Sequence, residues 1–405
     1  MAPAEAPLEE ARAALRDRAL ALVARLGDGA RDDAARDALL ADLAAFQARH
    51  VAPYGNLVRA RGAGAALPTD VFRHARVAAH PPSADLRVFR TSGTTHGARG
   101  AHAFRDLALY DAAARAWAKH MLFPDVERLD LVVLAPHEDE TPDSSLGYML
   151  ARFAEWFGRR TRWVWREGGL DLDALREATR NATGPVALLG TSFAFVHADD
   201  GLGDARVELP AGSRVMQTGG FKGRSRELEP AAMRAMLTRR WGVPESHVVA
   251  EYGMTELSSQ AYETPLRDAA LGRPIGARRL LFPGWVRATP VDPATLAPTA
   301  GEGILRIDDA ANLDSVAALQ TADRSRRVEV DGDAGFVVLG RAPGAVPRGC
   351  SLAGQPAQAE GTQNFFRPNP MLSILLPSVP MFPSSLFVDG FIYKLVPSST
   401  KRYPT

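Results

Sequence analysis

Cysteine is nearly missing from this sequence: the 405 residues hold one, Cys350. That excludes a disulfide framework and every zinc or iron–sulfur site built on several thiolates. Net charge is nearly missing too, with 48 Lys+Arg against 47 Asp+Glu. A dedicated nucleic-acid binder carries a basic surplus, so nucleic acid is not an expected partner. No run of about 18 apolar residues occurs, and no transmembrane helix is expected. The opening Met1-Ala2-Pro3-Ala4-Glu5-Ala6-Pro7 is acidic without an apolar core, unlike a secretory signal. These absences predict a soluble, cytoplasmic chain without internal repeats. Lysine is the least expected shortage: only Lys119, Lys222, Lys394 and Lys401 stand among the 48 basic residues. Where a lysine survives such a bias, either a compact, mobile ammonium is wanted over a planar fork, or it remains by chance. Lys119, beside His120 in a helical stretch, fits the second account.

What is present reads as an α/β chain. Residues 1–48 hold two amphipathic helical patterns broken near Gly27-Asp28-Gly29. Over 49–275 short apolar runs alternate with helical stretches at 106–121, 144–158, 171–180 and 228–240. The runs Leu131–Leu134, Val186–Leu189 and Val248–Ala250 have the length and turn-forming flanks of buried parallel strands. Alternation of this kind predicts an α/β core. Over 276–353 the text changes to short β-like pieces with Asp/Gly turns, a smaller β-rich subdomain. Residues 354–405 differ again: from 356 onward the chain holds 8 of the 29 prolines and 5 of the 17 phenylalanines but only two arginines. Pro377, Pro380 and Pro383 disfavour helix and central strand there, so this Pro/Phe-rich tail is expected to be poorly ordered.

Three clusters carry chemistry. Thr91-Ser92-Gly93-Thr94-Thr95-His96-Gly97-Ala98-Arg99-Gly100 follows the strand-like Leu86–Phe89. Its glycines and hydroxyls offer backbone and side-chain donors to a close anion, and Arg99 adds bidentate pairing to phosphate oxygens. An ordinary turn would look similar. Gln217-Thr218-Gly219-Gly220-Phe221-Lys222 lets a flat ligand approach the backbone, with an ammonium at hand; a solvated turn is the alternative. Glu251-Tyr252-Gly253-Met254-Thr255-Glu256 follows a predicted strand, where open α/β sheets hold ligands. There Tyr252 offers a ring face, Thr255 a hydroxyl and Glu256 an oxygen ligand for Mg2+. A capped helix start would also fit.

Thr-Ser-Gly-Thr-Thr, Thr-Gly-Gly and Tyr-Gly-Met-Thr-Glu, in this order, resemble the motifs of the adenylate-forming superfamily, which includes acyl-CoA synthetases, luciferases and nonribosomal adenylation domains. Thr321-Ala322-Asp323 and Leu339-Gly340-Arg341 resemble two later motifs, and His96 and Ala322 depart from the usual glycines. Within the group the chain is similar to LuxE-type acyl-protein synthetases, through Gly100-Ala101-His102-Ala103-Phe104-Arg105-Asp106-Leu107, Ser144–Met149 and Arg348-Gly349-Cys350-Ser351-Leu352. The resemblance covers roughly residues 45–353. It implies the adenylate-forming large-domain architecture, parallel sheets flanked by helices plus the β-rich subdomain, with the small mobile C-terminal domain largely absent.

It also implies an enzyme using ATP and Mg2+ to convert a carboxylic acid, a fatty acid by this likeness, to acyl-AMP with release of pyrophosphate. The acyl group then passes to a protein cysteine for delivery to an acyl reductase. Thr91, Ser92, Gly93, Thr94, Thr95 and Arg99 would hold phosphates; Gly219, Gly220, Tyr252 and Gly253 would frame adenine. Asp323 would take the ribose hydroxyls and Arg341 would stand at the hinge. Thr255 would bind phosphate and Glu256 Mg2+, Lys222 would supply a cation near the α-phosphate, and Cys350 would accept the acyl group. A lone cysteine is also commonly a buried structural one. An acid–CoA ligase of the phenylacetate type and a non-catalytic nucleotide-binding scaffold are the alternatives.

Overall fold

The computed structural model describes residues 5–92, 98–166, 169–204, 206–219, 228–330, 332–345, 385–388 and 391–394. Its frame is one large sheet with the strand order β13-β14-β15-β16-β12-β11-β10-β9-β8-β4-β5. One half is parallel: β4 (Leu129–Leu134), β5 (Gly158–Trp163), β8 (Val186–Thr191), β9 (Arg214–Thr218) and β10 (Val248–Tyr252). The other half is antiparallel: β11 (Ala261–Glu263), β12 (Leu280–Leu281), β13 (Val286–Val291), β14 (Glu302–Asp309), β15 (Ala318–Val330) and β16 (Asp333–Arg341). β1 (Leu67–Pro68) runs parallel to β15 off the main path. Among the described residues three hairpins stand apart, β2 (Arg87–Arg90) with β3 (Ala101–Phe104), β6 (Trp165–Arg166) with β7 (Gly169–Leu170), and β17 (Ser385–Val388) with β18 (Phe391–Lys394).

Alternation along the parallel strands explains the layers. Leu131, Val133, Ala187, Leu189 and Val249 enter one core, while Val132, Leu134, Val186, Leu188 and Val248 enter a second. Successive strand residues point to opposite faces, so near-continuous apolar runs need cover on both sides. α1 (Glu5–Leu26), α2 (Asp33–His50), α3 (Ala52–Arg61), α4 (Ala108–Met121) and α5 (Ser145–Phe157) contribute to the first core. α6 (Leu172–Arg180), α7 (Ser192–Leu202) and α8 (Pro230–Trp241) cover the second. A last short helix, α9 (Pro265–Ala270), leads from β11 towards β12. Caps start several helices where the sequence has the acceptor: Asp32, Ser144, Asp171 and Thr191 each accept a backbone N–H three residues on.

The expected strands and helices are all present, with shifted ends. The helix read at 106–121 begins at Ala108, and the strand read at Val248–Ala250 runs on through Glu251 and Tyr252. It runs on because β11 pairs with it, Glu251 opposite Tyr262 and Tyr252 opposite Ala261. No helix follows the Tyr-Gly-Met-Thr-Glu segment; Leu257 N–H closes a turn onto Met254 O at 3.0 Å and the chain returns as β11. The change of character near residue 275 lies within one continuous sheet, whose strands switch from parallel to antiparallel at β10–β11.

Candidate active site

The carboxyl edge of the parallel strands carries a polar row. Register sets Thr191 beside Thr218, Thr218 beside Glu251 and Glu251 beside Tyr262, so the four share one sheet face. Thr218 Oγ1 donates to Glu251 Oε2. Glu251 lies wholly out of solvent, and burial pushes its carboxyl up to about 7 against the opposing hydrogen bond from Thr218. A Cβ at position 253 would stand 2.4 Å from Glu251 Oε1, so a larger residue there would push the Glu251 carboxyl aside. The Tyr262 hydroxyl is buried with no partner among the described residues, and burial pushes its pKa well up.

On the opposite face of β10 three sequence-predicted residues meet. Tyr252 Oη donates to Asp323 Oδ2 at 2.8 Å, and Arg341 Nη1 donates to Asp323 Oδ1 at 3.0 Å. Asp323 and Arg341 face each other across β15 and β16. There β16 carries one extra residue: Arg324 pairs with Gly340 but Ser325 with Val338, and Gly340 takes a φ of +110°. A bulge built on that backbone favours glycine, which accounts for the Gly-Arg pair. Thr321 Oγ1 accepts from Asp323 N–H at 3.1 Å and donates to Leu305 O, fixing the acid's backbone. All three side chains are buried, and Arg341 Nε and Nη2 have no acceptor among the described residues. Tyr252 does not present an open ring face; Phe282 and Phe336 pack edge-on against it.

The third component is the β2–β3 hairpin, whose connection is the Thr/Ser/Gly segment. Thr91 and Gly100 latch its neck through Thr91 N–H to Gly100 O at 2.9 Å and Gly100 N–H to Thr91 Oγ1 at 2.8 Å. Arg99 is engaged locally, donating to Thr91 O at 2.6 Å and to Asp143 Oδ2 at 2.6 Å. Ser92 is exposed beyond the neck. From β3, His102 Nδ1 reaches Thr255 O at 2.8 Å, and Asn312 Nδ2 donates to Glu256 O at 2.9 Å. Asp309 accepts from Ser258 N–H and Ser259 Oγ; burial pushes its carboxyl up to about 6 against those bonds. Thr255 is half-buried, and Glu256 lies beneath the turn.

Of the predicted site residues, the structure brings together Tyr252, Asp323 and Arg341, with Gly253, Thr255 and Glu256 following Tyr252 along the chain. Gly219 follows directly after β9 with a φ of +77°. Gly93, Thr94, Thr95, Gly220, Lys222 and Cys350, with His96, lie outside the described residues. Sequence reasoning named Glu251 only as part of a motif and gave no role to Asn312 or Asp309. An acid inside Val-Val-Ala-Glu was the available signal for Glu251. Among the described residues no group of three or more His, Cys, Asp or Glu could hold a metal ion.

No protein-family model and no curated protein matches the chain. Among solved structures it is similar to ATP-bound MatB from Rhodopseudomonas palustris, at 17% identity over 63% of this chain and 47% of that one, with a TM-score of 0.44. It is likewise similar to the luciferase-like enzyme of the nonluminescent mealworm Zophobas morio, at 14% identity over 63% and 57%, TM-score 0.43. A third is O-succinylbenzoate coenzyme A synthetase (MenE) from Bacillus subtilis, in complex with ATP and magnesium ion, at 15% identity over 63% and 49%, TM-score 0.41. The matched region spans about half the length of these structures.

Proposed function

We propose that this chain is an ATP- and Mg2+-dependent acid ligase of the adenylate-forming kind. It activates a carboxylic acid, a long-chain fatty acid on the LuxE-type resemblance, and passes the acyl group to Cys350. The observation that carries the reading is the meeting of Tyr252, Asp323 and Arg341, drawn from three separate motifs, in one buried hydrogen-bonded set.

A carboxylate is a poor electrophile because its charge repels nucleophiles and oxide leaves badly. In the proposed reaction a carboxylate oxygen attacks the α-phosphorus of ATP and pyrophosphate departs, leaving an acyl-AMP anhydride. The protein's task is positioning and stabilising spreading negative charge. Arg341 Nε and Nη2, without an acceptor among the described residues, suit a ribose hydroxyl or phosphate oxygen, since a buried donor left alone costs about 1–3 kcal/mol. Asp323 would hold the ribose, with Tyr252 orienting it through its hydroxyl, and Gly219 and Gly220 would frame the base, Gly253 following Tyr252 beneath Glu251. Thr91, Ser92, Gly93, Thr94, Thr95 and Arg99 take the phosphates, which requires Arg99 to exchange Asp143 for a phosphate oxygen. Glu256, with Thr255 beside it, would be the carboxylate that holds Mg2+ against the triphosphate, where the ion would neutralise charge. Lys222, outside the described residues, would be the cation near the α-phosphate. In the second step the Cys350 thiolate attacks the acyl carbonyl, a thioester forms and AMP leaves. The product suits delivery to an acyl reductase.

Carboxylate-dependent ATP–pyrophosphate exchange without CoA, run over short, aromatic and long-chain acids, tests the first step. Exchange with long-chain acids and an acyl thioester on Cys350 is the expected result. ATP binding without exchange for any acid would turn the reading to the scaffold, and a requirement for CoA with a dispensable Cys350 would turn it to a CoA ligase.

A further inference from the structure

We propose that the cleft between the ends of α7 and α8 is a second binding site, one that takes a small phosphate monoester carrying a hydroxyl group. It lies away from the candidate active site, and the inference does not depend on the reaction proposed above.

α7 starts where β8 ends, and α8 ends shortly before β10 begins. Both helix C-termini therefore come to the sheet edge opposite the one that carries Thr218 and Glu251. Between them is a cavity of about 410 Å³, the size of a small-molecule site, lined by Asp199, Gly203, Asp204, Arg206, Arg239 and Arg240. The backbone fixes its walls. Val207 N–H donates to Arg240 O at 3.0 Å and Leu209 N–H to Trp241 O at 3.1 Å, and the side chains of Val207 and Leu209 are buried. This staple holds Arg206 beside the last turn of α8. Gly242 closes that turn with a φ of +63°, where a Cβ would stand 3.0 Å from Glu208 Cα.

Arg240 is already engaged. Its Nε donates to Asp199 Oδ1 at 2.8 Å, and its Nη2 donates to Asp199 O at 3.1 Å and to Gly203 O at 2.6 Å. It thus answers the carbonyl end of α7. Arg206 and Arg239 are exposed, and no described residue pairs with either guanidinium or with the Asp204 carboxylate. Three guanidiniums share the cleft with two carboxylates, and the two free ones are like charges held together by the staple. Such a pair repels itself until an anion joins it. A phosphate group suits it through the forked pairing that arginine gives to phosphate oxygens. A carboxylate only accepts, so Asp204 calls for a donor, which a hydroxyl near the phosphate supplies. No apolar side chain lines the cleft among the described residues, so an acyl chain has nothing to bury against.

Glycerol phosphate and inorganic phosphate are the probes, added to the ¹⁵N-labelled full chain. Binding is read at the Nε–H signals of Arg206 and Arg239, each identified by its loss in the matching Gln variant. Both signals are expected to move with glycerol phosphate, and Arg206→Gln should weaken the binding seen at Arg239 at least tenfold. Arg115→Gln removes an exposed guanidinium from α4, on the other face of the sheet, and should leave that binding unchanged. Asp204→Asn should weaken glycerol phosphate without weakening inorganic phosphate. Signals that stay still with both probes would overturn the site. Equal weakening by Arg206→Gln and Arg115→Gln would overturn it too, leaving only general charge attraction. Equal affinity of the wild type for the two probes would overturn the part given to the hydroxyl and Asp204. Because the readout sits in the cleft, phosphate held at the candidate active site does not enter it.

Discussion

Glu251 is the residue whose chemistry departs furthest from its sequence context. Its native pKa of about 7 lies above the ordinary 4.5, so between those values the unfolded chain gives up a proton that the folded chain keeps. Stability from this group is thus greatest below about pH 4.5 and falls as pH rises to about 7. At about 1.4 kcal/mol per tenfold in proton concentration, the loss is on the order of 3 kcal/mol. His102 and His120, each held down to about 4 by burial, act in the other direction, losing stability as pH falls below 6.5. Comparing Glu251→Gln with wild type by urea unfolding at pH 4 and pH 8 isolates the acid. The variant should gain at pH 8 relative to its standing at pH 4, and an unchanged difference would refute a protonated native Glu251. Tyr252→Phe makes a second residue-level case. It strips one donor from buried Asp323, should cost about 1–3 kcal/mol, and should raise KM for ATP in exchange assays; loss of stability with unaltered KM would separate Tyr252 from the nucleotide.

Among the elements, α2 and the 309–317 segment are the clearest pair. Gln47 Nε2 donates to Asn312 O and Leu313 O, and Gln47 Oε1 accepts from Ala317 N–H, all out of solvent. Gln47→Leu orphans three backbone groups and should cost roughly 3 kcal/mol or more. Amide exchange checks the location: Ala317 should lose protection while Val249, in the central strand, keeps it. Much of the element plan was legible. The apolar runs of β4, β8 and β10 and the helical spacing between them are local signals, and the structure has each of them. Partner choice was not legible, because pairing is decided by residues far apart. Nothing in Ala261-Tyr262-Glu263 announces the three-residue strand that lengthens β10 and joins the two halves of the sheet. The site divides likewise. Tyr252, Asp323 and Arg341 could be named from motif identity, but the bond from His102 to Thr255 belongs to folded geometry alone, and so does the burial that raises Glu251.

At the scale of the whole molecule, the shared sheet governs cooperativity. Tyr262 pairs with Glu251 on one side and Leu281 on the other, and Trp117 of α4 donates to Leu281 O at 3.1 Å. The parallel and antiparallel halves therefore have no seam along which one could melt first. Calorimetry of the chain should show one principal transition, with fluorescence and far-ultraviolet circular dichroism coinciding; two separated transitions would contradict a common core. The bond from Gln47 to Asn312 also has a consequence in time. It spans 265 residues, and the pair of Arg12 with Asp314 spans 302. At about 5–20 residues per second of synthesis, α2 waits roughly 15–50 s for the segment that covers it. During that interval Leu39, Leu43 and Phe46 lack part of their final cover. α1 and α2 thus leave the ribosome long before the segment that seals them, and in that interval their apolar faces are open to whatever binds unfolded chains.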